Sequence, residues 1–317
     1  MKKYMCLILL LAVLAVSLLG CGQKQHDQEQ TAEVDPSTEN TLLSETNMVP
    51  AEDTISFLEY CDGTITLRFS LEEEGGKWVW VDEPSFPLDG EKVDEIITAL
   101  KELGQLQKAP AVEDLSLYGL SDAQKYLTLK GETMDGIMQI GDQTEDGSWY
   151  ASVAGYEDIF LIPDAFIQLL HRSVYDMALL PTLPDFSAEN LMYISVENGD
   201  SRAALRKTEE QWTSTNEKIT ERVEEVATAL SALQVSRCFD FLPSQQALSL
   251  TGFSTPTATI TVEYLNSVNV ETSFSMTLGA LRNAEEGYYV TFNDDSTIYL
   301  IPSSQVSPLL VLLIYAK

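Results

Sequence analysis

The sequence has 317 residues, and its 49 acidic side chains against 19 basic ones give a formal net charge of −30 at pH 7. This charge argues against nucleic acid as a partner, because phosphate binding needs stripes of basic residues that the chain lacks. A basic protein or a divalent cation remains compatible with the composition.

The first twenty residues are interpreted as a lipoprotein signal peptide. Lys2 and Lys3 precede an uncharged apolar run from Cys6 to Leu19, which suits a secretory signal and is shorter than the about 20 residues of a spanning helix. The run ends in LLGC at residues 18–21, which resembles a bacterial lipobox, so Cys21 is predicted to be lipidated. An uncleaved N-terminal anchor is the alternative.

Lipidation predicts an extracytoplasmic protein that is anchored to the cell membrane by Cys21. Cleavage removes two of the 19 basic residues and none of the 49 acidic ones, which changes the net charge from −30 to −32. An anionic membrane surface repels each nearby negative charge by about 1 kcal/mol. Each CH₂ group of an acyl chain contributes about 0.8 kcal/mol when buried, so the sum over two acyl chains exceeds this repulsion. We therefore expect the acidic body to hang away from the bilayer.

Residues 21–53 are predicted to be the lipidated cysteine followed by a disordered acidic tether. From Gly22 to Asp53 the chain carries eight acids against Lys24 alone, and it has no aromatic residue. Such a segment buries too little apolar surface to offset the entropy of ordering, and it would span on the order of 30 Å.

The next part of the chain has the pattern of a hairpin followed by a helix. Residues 64–71, TITLRFSL, alternate apolar and polar side chains as a half-buried strand does, and EEEGG then turns the chain into KWVWV. After Asp89, a candidate N-cap, apolar residues recur at helical spacing from Val93 to Leu103, and Gly104 follows as a stop signal.

The second half of the chain repeats this order of elements. IFLIP at residues 159–163 recurs as IYLIP at 298–302, Trp78 is matched by Trp212, and Gly119 is matched by Gly252. The pattern predicts an α+β fold made of two tandem copies, residues 54–180 and 181–317, each of the order ββ-α-ββββ-α. The hairpin-length connections imply antiparallel sheets with helices on one face.

The last apolar run, PLLVLLIY at residues 308–315, is too short to span a membrane. It falls where AFIQLL falls in the first copy. We therefore predict that Leu309, Leu310, Leu312 and Leu313 are largely buried against the second sheet.

Three features resemble the bacterial lipoprotein family of the "domain of unknown function 4340" type. They are the tryptophan strand before FPLDGEKVDEIITALKEL, the SLYGL step before a strand, and the hairpins in IGD…WYASVAGYEDIFLI. The resemblance covers about residues 55–180 and extends more faintly over the second copy. It implies no catalytic residues, and it implies an accessory role in the envelope, because such proteins are often encoded beside an ABC-type transporter.

Catalytic and metal sites are not predicted. Outside the tether the only histidine is His171, interpreted as a surface residue, and no nucleophile, phosphate or zinc motif is present. The loop at 141–148, GDQTEDGS, lacks the alternating acids of a calcium loop. Cys61 and Cys238 stand at unrelated positions, which favours two free or buried thiols over a disulfide, although pairing stays open. No cofactor is expected.

Aromatic residues in the hairpins are the candidate binding residues. Trp149, Tyr150, Tyr288 and Tyr289 cluster in predicted hairpins, and Trp149 and Tyr150 face opposite sides of their strand. One ring of that pair is then expected in the core and the other at the surface, where it could bind sugar chains or a protein partner. The alternative is that these aromatic residues complete the core or the contact between the copies.

The leading hypothesis is a non-enzymatic lipoprotein that binds or scaffolds an envelope protein complex, with an ABC-type transporter as the link that the resemblance implies. The alternative is a carboxylate-dependent hydrolase of cell-wall or exported polysaccharide. The hydrolase predicts a deep cleft that holds two carboxylates, and the scaffold predicts shallow surfaces.

Overall fold

The computed structural model describes residues 49–50, 52–103, 106–110, 114–209 and 211–316. The predicted signal peptide, Cys21, most of the tether and Gly104 lie outside these residues. The sheets and helices belong to one unit, Glu45–Lys317.

The first sheet has eight antiparallel strands in the order β3-β2-β1-β5-β6-β7-β8-β4. Its strands are β1 (Ile55–Asp62), β2 (Thr66–Leu71), β3 (Trp78–Trp80), β4 (Gln107–Lys108), β5 (Lys125–Gly131), β6 (Asp135–Gln143), β7 (Trp149–Val153) and β8 (Ile159–Ile162). Its helices are α1 (Gly90–Glu102), α2 (Asp164–Leu170) and two 3₁₀ turns, Leu115–Tyr118 and Val174–Met177.

The second sheet has the corresponding order, β11-β10-β9-β13-β14-β15-β16-β12. Its strands are β9 (Leu191–Asn198), β10 (Ser201–Thr208), β11 (Gln211–Thr213), β12 (Arg237–Asp240), β13 (Ala258–Leu265), β14 (Glu271–Asn283), β15 (Gly287–Phe292) and β16 (Ile298–Ile301). Its helices are α3 (Glu217–Thr220), α4 (Val223–Ser231), α5 (Gln245–Leu250), α6 (Ser303–Leu310) and the 3₁₀ turn Val311–Tyr315.

The strand registers place several residues of the two sheets at corresponding positions. Trp78 lies opposite Leu71 in the first sheet, and Trp212 lies opposite Lys207 at the same place in the second. The pairing of β8 with β7 and of β16 with β15 likewise equates Ile162 with Ile301.

The predicted fold class, two tandem α+β units with antiparallel sheets, is confirmed. The structure adds strands to the predicted order ββ-α-ββββ-α. The added strands of the first copy are β1 and β4, and those of the second are the short β11 and β12. Their lengths range from two residues in β4 to eight in β1.

The core of each copy lies between its sheet and its helices. Helix α1 begins at the predicted N-cap, where the Asp89 carboxylate accepts a hydrogen bond from the Glu91 backbone N–H. It then buries Val93, Ile96 and Leu100, as the helical spacing predicts. The C-terminal leucines follow the same logic, because Leu309 and Leu312 are fully buried, whereas Leu310 and Leu313 pack half-buried against the core.

The two copies meet at an aromatic joint, which we define as Trp80, Phe86, Tyr175 and Phe241. Phe86 is buried, and its ring contacts Trp80, Tyr175 and Phe241 at centroid distances of 5.5, 6.0 and 5.5 Å. Polar contacts cross the same joint. Arg237 lies 2.9 Å from the Asp176 carboxylate, and the Tyr175 hydroxyl donates to Asp240 at 3.3 Å.

The folded body starts earlier than the predicted tether boundary at residue 53. Val49 is fully buried, and the Asp53 side chain is 4% exposed. The Asp53 carboxylate accepts hydrogen bonds from the backbone N–H groups of Glu132 and Thr133 at 3.0 and 3.1 Å. The end of the tether is thereby fastened to the β5–β6 turn.

Candidate functional site

The predicted aromatic binding residues occupy equivalent positions in the two sheets. Trp149 lies opposite Ile162 in β8, and Tyr288 lies opposite Ile301 in β16, so Trp149 and Tyr288 correspond, as do Tyr150 and Tyr289. All four side chains are half-buried. The lipidation site Cys21 lies outside the described residues.

Trp149 and Tyr288 are on the helix-covered face of their sheets and pack against the core. The Trp149 indole N–H donates to the Asp164 carboxylate at 2.9 Å, and the Lys125 ammonium lies 4.1 Å from the ring centroid. These contacts tie Trp149 to the start of α2, so its ring serves the fold.

Tyr150 and Tyr289 are on the opposite face and contact neighbouring aromatic rings in tilted and edge-on geometry. Tyr150 lies 4.5 Å from Tyr118, and Tyr289 lies 4.7 Å from Phe239. The Arg282 guanidinium donates to the Tyr289 hydroxyl at 3.2 Å and lies 4.8 Å from the Phe239 ring. Each tyrosine is held by local partners, and the two pairs belong to separate sheets.

An exposed leucine recurs at corresponding positions in the two copies, and the sequence pattern did not predict its exposure. Leu117 is 65% exposed, and Leu250, its counterpart two residues before the matched glycines Gly119 and Gly252, is 76% exposed. Leu115, two residues before Leu117, is also exposed. The signal was available in the sequence, since SLYGL and SLTGF align, but solvent exposure depends on packing that the alignment does not contain.

The segments that carry these leucines are fastened to the sheets. Gly119 and Gly252 have φ angles of +68° and +90°, which turn the chain after each leucine step. In the second copy the Thr251 carbonyl accepts a hydrogen bond from the Ala280 backbone N–H at 2.8 Å, and in the first copy the Tyr118 ring contacts Tyr150 of β7. The leucines are therefore presented on ordered backbone.

A groove of about 410 Å³ lies between helices α4 and α6 of the second copy. Its lining includes Glu224, Ala229 and Ala232 from the α4 side and Ser304, Gln305 and Pro308 from α6. The lining thus combines apolar side chains with polar ones and with two neighbouring acids, Glu224 and Glu225.

A second groove, of about 530 Å³, lies beside the β13–β14 turn. Its lining combines Tyr264 with Asn190 and Asn266 and with the acids Asp185 and Glu189. Asn190 and Asn266 are already used in holding their loops, because the Asn190 amide oxygen accepts from the Ser187 N–H and that of Asn266 from the Val270 N–H.

The side chains considered for metal binding and for acid–base chemistry are the acids of the 141–148 loop and His171. Among the described residues no group of three or more His, Cys, Asp or Glu side chains could hold a metal ion. In the 141–148 loop the Thr144 hydroxyl donates to Asp146 and lowers the pKa of that carboxyl. His171 is exposed and ends α2.

The two cysteines of the body are free thiols. Cys238 is fully buried in β12, and burial, with smaller contributions from Asp240 and Asp295, raises its pKa to about 12. Cys61 is half-buried in β1. A thiol with so high a pKa is a poor nucleophile near neutral pH.

Within the described part of the chain, none of the helices combines the length and the apolar character needed to cross a bilayer.

Comparison with known proteins identifies a family. The family model described as "Domain of unknown function (DUF4340)" matches residues 78–256, which is more than half of the chain and runs from β3 of the first sheet past α5 of the second. Neither the curated proteins nor the solved structures contain a match. The family prediction is confirmed, and the chain belongs to the DUF4340 family.

Proposed function

We propose that this protein is an envelope lipoprotein, anchored to the cell membrane through Cys21, that binds or scaffolds a membrane protein complex without catalysing a reaction. The partner complex that the family resemblance suggests is an ABC-type transporter. Residues 1–20 act as the signal peptide, and the residues after Cys21 tether the body to the bilayer.

The observation that carries the binding function is the exposed leucine at the same point of both copies. Single exposed apolar residues are common on protein surfaces. Leu117 and Leu250, however, hold equivalent positions on segments that are fastened to the sheets, and both are at least 65% exposed. A partner that contacts both copies would bury them, which stabilises a complex by about 1.5–3 kcal/mol per leucine.

The attachment of the tether to the first copy supports the proposed anchoring of the body to the membrane. Val49 is buried, and Asp53 caps the β5–β6 turn through two backbone N–H groups. The body is therefore held from a defined point on the first copy.

We infer that the two copies arose by duplication of one unit. The matching strand orders, the matching registers at Trp78 and Trp212, and the turn glycines Gly119 and Gly252 support this origin. A duplicated body offers a partner two related surfaces at a fixed separation.

The hydrolase alternative needs two carboxylates in a deep cleft, one of them with a raised pKa. Each groove carries two acids, but the grooves are open, and Glu225 of the first is already ion-paired with Arg222. Elsewhere in the described residues, hydrogen bonds lower the pKa of Glu95 and Glu286, which is opposite to what a general acid needs.

Co-purification from solubilised membranes tests the proposal. The full chain is tagged and recovered after chemical cross-linking in cells, as wild type, as Leu117→Ser/Leu250→Ser, and as Ile65→Ser/Val268→Ser. The control pair is also exposed, 54% and 72%, with one residue in each copy. We expect the leucine variant to lower the recovery of a membrane protein partner by about tenfold, and the control to leave it within about twofold. Equal recovery with all three chains would contradict the binding function.

A further inference from the structure

We propose that the groove between α4 and α6 binds a segment of the partner protein that presents a bulky apolar side chain next to a lysine or arginine. This inference rests on the proposed binding function and assigns one of its contact sites. The groove is open to solvent and has a volume of about 410 Å³, which is space for a large side chain.

The first copy shows why the groove exists. The gapless match of α2 with α6 after Pro163 and Pro302 equates Phe166 with Gln305. Phe166 is 3% exposed and lies in the core. In the second copy the smaller, polar Gln305 lines the groove instead, and its amide oxygen accepts a hydrogen bond from the Gln234 backbone N–H at 2.7 Å.

Two further replacements widen the same place. Leu169, which packs against the core of the first copy, corresponds to Pro308, and Glu102 corresponds to Ala232 at the end of α4. Pro308 and Ala232 both line the groove. Glu102 is exposed in the first copy, so the packed bulk that the second copy lacks is that of Phe166 and Leu169. An apolar side chain from outside could restore it.

The wall of the groove specifies the charge of the occupant. Glu224 and Glu225 line it, and no lining residue is basic. Glu225 is paired with Arg222 at 2.7 Å, whereas the Glu224 carboxylate has no ion pair within the described ranges. An occupant that carries a lysine or arginine beside its apolar anchor gains an ion pair there, and an acidic occupant is repelled.

The same charge argument favours another protein over the chain's own acidic tether or a second copy as the occupant. Residues 22–48 hold six acids and Lys24 alone, and the whole chain has a net charge of −30. The occupant is therefore a basic, apolar segment of another protein.

Binding of a synthetic amphipathic peptide of leucine and lysine, labelled with a fluorophore, tests the site. The full chain in detergent is titrated at physiological salt, and a leucine–glutamate peptide is the probe control. Glu224→Lys removes the acidic wall, Ala232→Leu fills the groove from an exposed helix position, and Pro308→Leu restores the residue of the first copy. Glu73→Lys makes the same charge change in the exposed 72–77 loop.

We expect Glu224→Lys and Ala232→Leu each to weaken peptide binding by about tenfold or more, and Glu73→Lys to change it by less than about twofold. Pro308→Leu should also weaken binding. With two groove-filling variants, the result does not depend on a single variant that folds poorly. Weakening by Glu73→Lys equal to that by Glu224→Lys, or full binding by both groove-filling variants, would overturn the assignment. If the groove fails while the leucine variant still loses its membrane partner, the binding function stands and only this site is wrong.

Discussion

Gly141 and Gly279 occupy the same position in the two sheets, each one residue after the buried apolar residue of a bulged strand. A Cβ atom at Gly141 would lie 2.0 Å from the Tyr118 carbonyl oxygen, and one at Gly279 would lie 2.2 Å from the Thr251 carbonyl oxygen. In both copies the bulge thus admits the backbone of the segment that carries the exposed leucine.

Replacing either glycine should damage its copy in the same way. Gly141→Ala and Gly279→Ala each force the backbone apart, and we expect each to reduce the free energy of unfolding by about 1–3 kcal/mol or more. Urea denaturation of the full chain measures this loss. Gly90→Ala is the matched control, because its Cβ would meet Trp78 atoms at 3.5 and 3.7 Å, which is ordinary contact. Equal stability of all three variants would contradict the close backbone approach at Gly141 and Gly279.

The joint between the copies depends on Phe86. Phe86→Ala removes a buried ring with three aromatic neighbours, so we expect a loss of about 3–5 kcal/mol and separation of the unfolding of the two copies into two calorimetric transitions. The half-buried Phe57 serves as the control, since Phe57→Ala should leave one transition. A single, unshifted transition for Phe86→Ala would show that the copies are coupled elsewhere.

The ion pair of Glu95 with Arg172 predicts a pH dependence. The guanidinium donates two hydrogen bonds at 2.7 and 3.1 Å, which lower the pKa of Glu95 below its ordinary value of 4.5. Since the folded-state pKa is depressed, the stabilisation is present above the ordinary pKa and is lost as the pH falls through the lowered one.

We therefore expect Glu95→Gln to reduce stability near pH 7 by at most about 1 kcal/mol, because both partners are partly exposed. The difference from wild type should vanish in acid. Thermal melts across the acid range measure it. If the difference in melting temperature stayed constant at every pH, Glu95 would not stabilise the fold through its ion pair with Arg172.

The two thiols of the body should differ in reactivity. With its pKa raised to about 12 by burial, Cys238 should resist iodoacetamide at mildly alkaline pH in the folded protein, whereas the half-buried Cys61 should react. Denaturation without a reductant should expose both to alkylation, as mass spectrometry of the peptides reports. Recovery of a Cys61–Cys238 disulfide would contradict the structure.

The periodic elements of the fold were predictable from the sequence. The strand β13 alternates buried and half-buried residues, and α1 buries one stripe at helical spacing, so local pattern and tertiary packing agree. The strand β1 was harder to recognise. A register shift between Ile55 and Phe57 interrupts its alternation, so Ile55 and Leu58 are both buried. The two-residue strand β4 is too short to show any period.

The candidate sites were less predictable, because they depend on which side chains the fold leaves uncovered. The sequence places Trp149 and Tyr150 on opposite faces, as observed, but both are half-buried by contacts with Lys125, Asp164 and Tyr118 that no local pattern reveals. In the α4–α6 groove, Gln305 takes the position that corresponds to Phe166 of the first sheet. That exchange becomes meaningful once the strand registers align the copies.

We propose that a lipidated Cys21 anchors this two-copy body to the membrane. Mass spectrometry of the N-terminal peptide of the protein purified from membranes tests it most directly. The account predicts a mature chain that begins at Cys21 and carries acyl chains, and it predicts that Cys21→Ser is released or stays unprocessed. A membrane-bound chain that retains residues 1–20 and has an unmodified Cys21 would contradict the account.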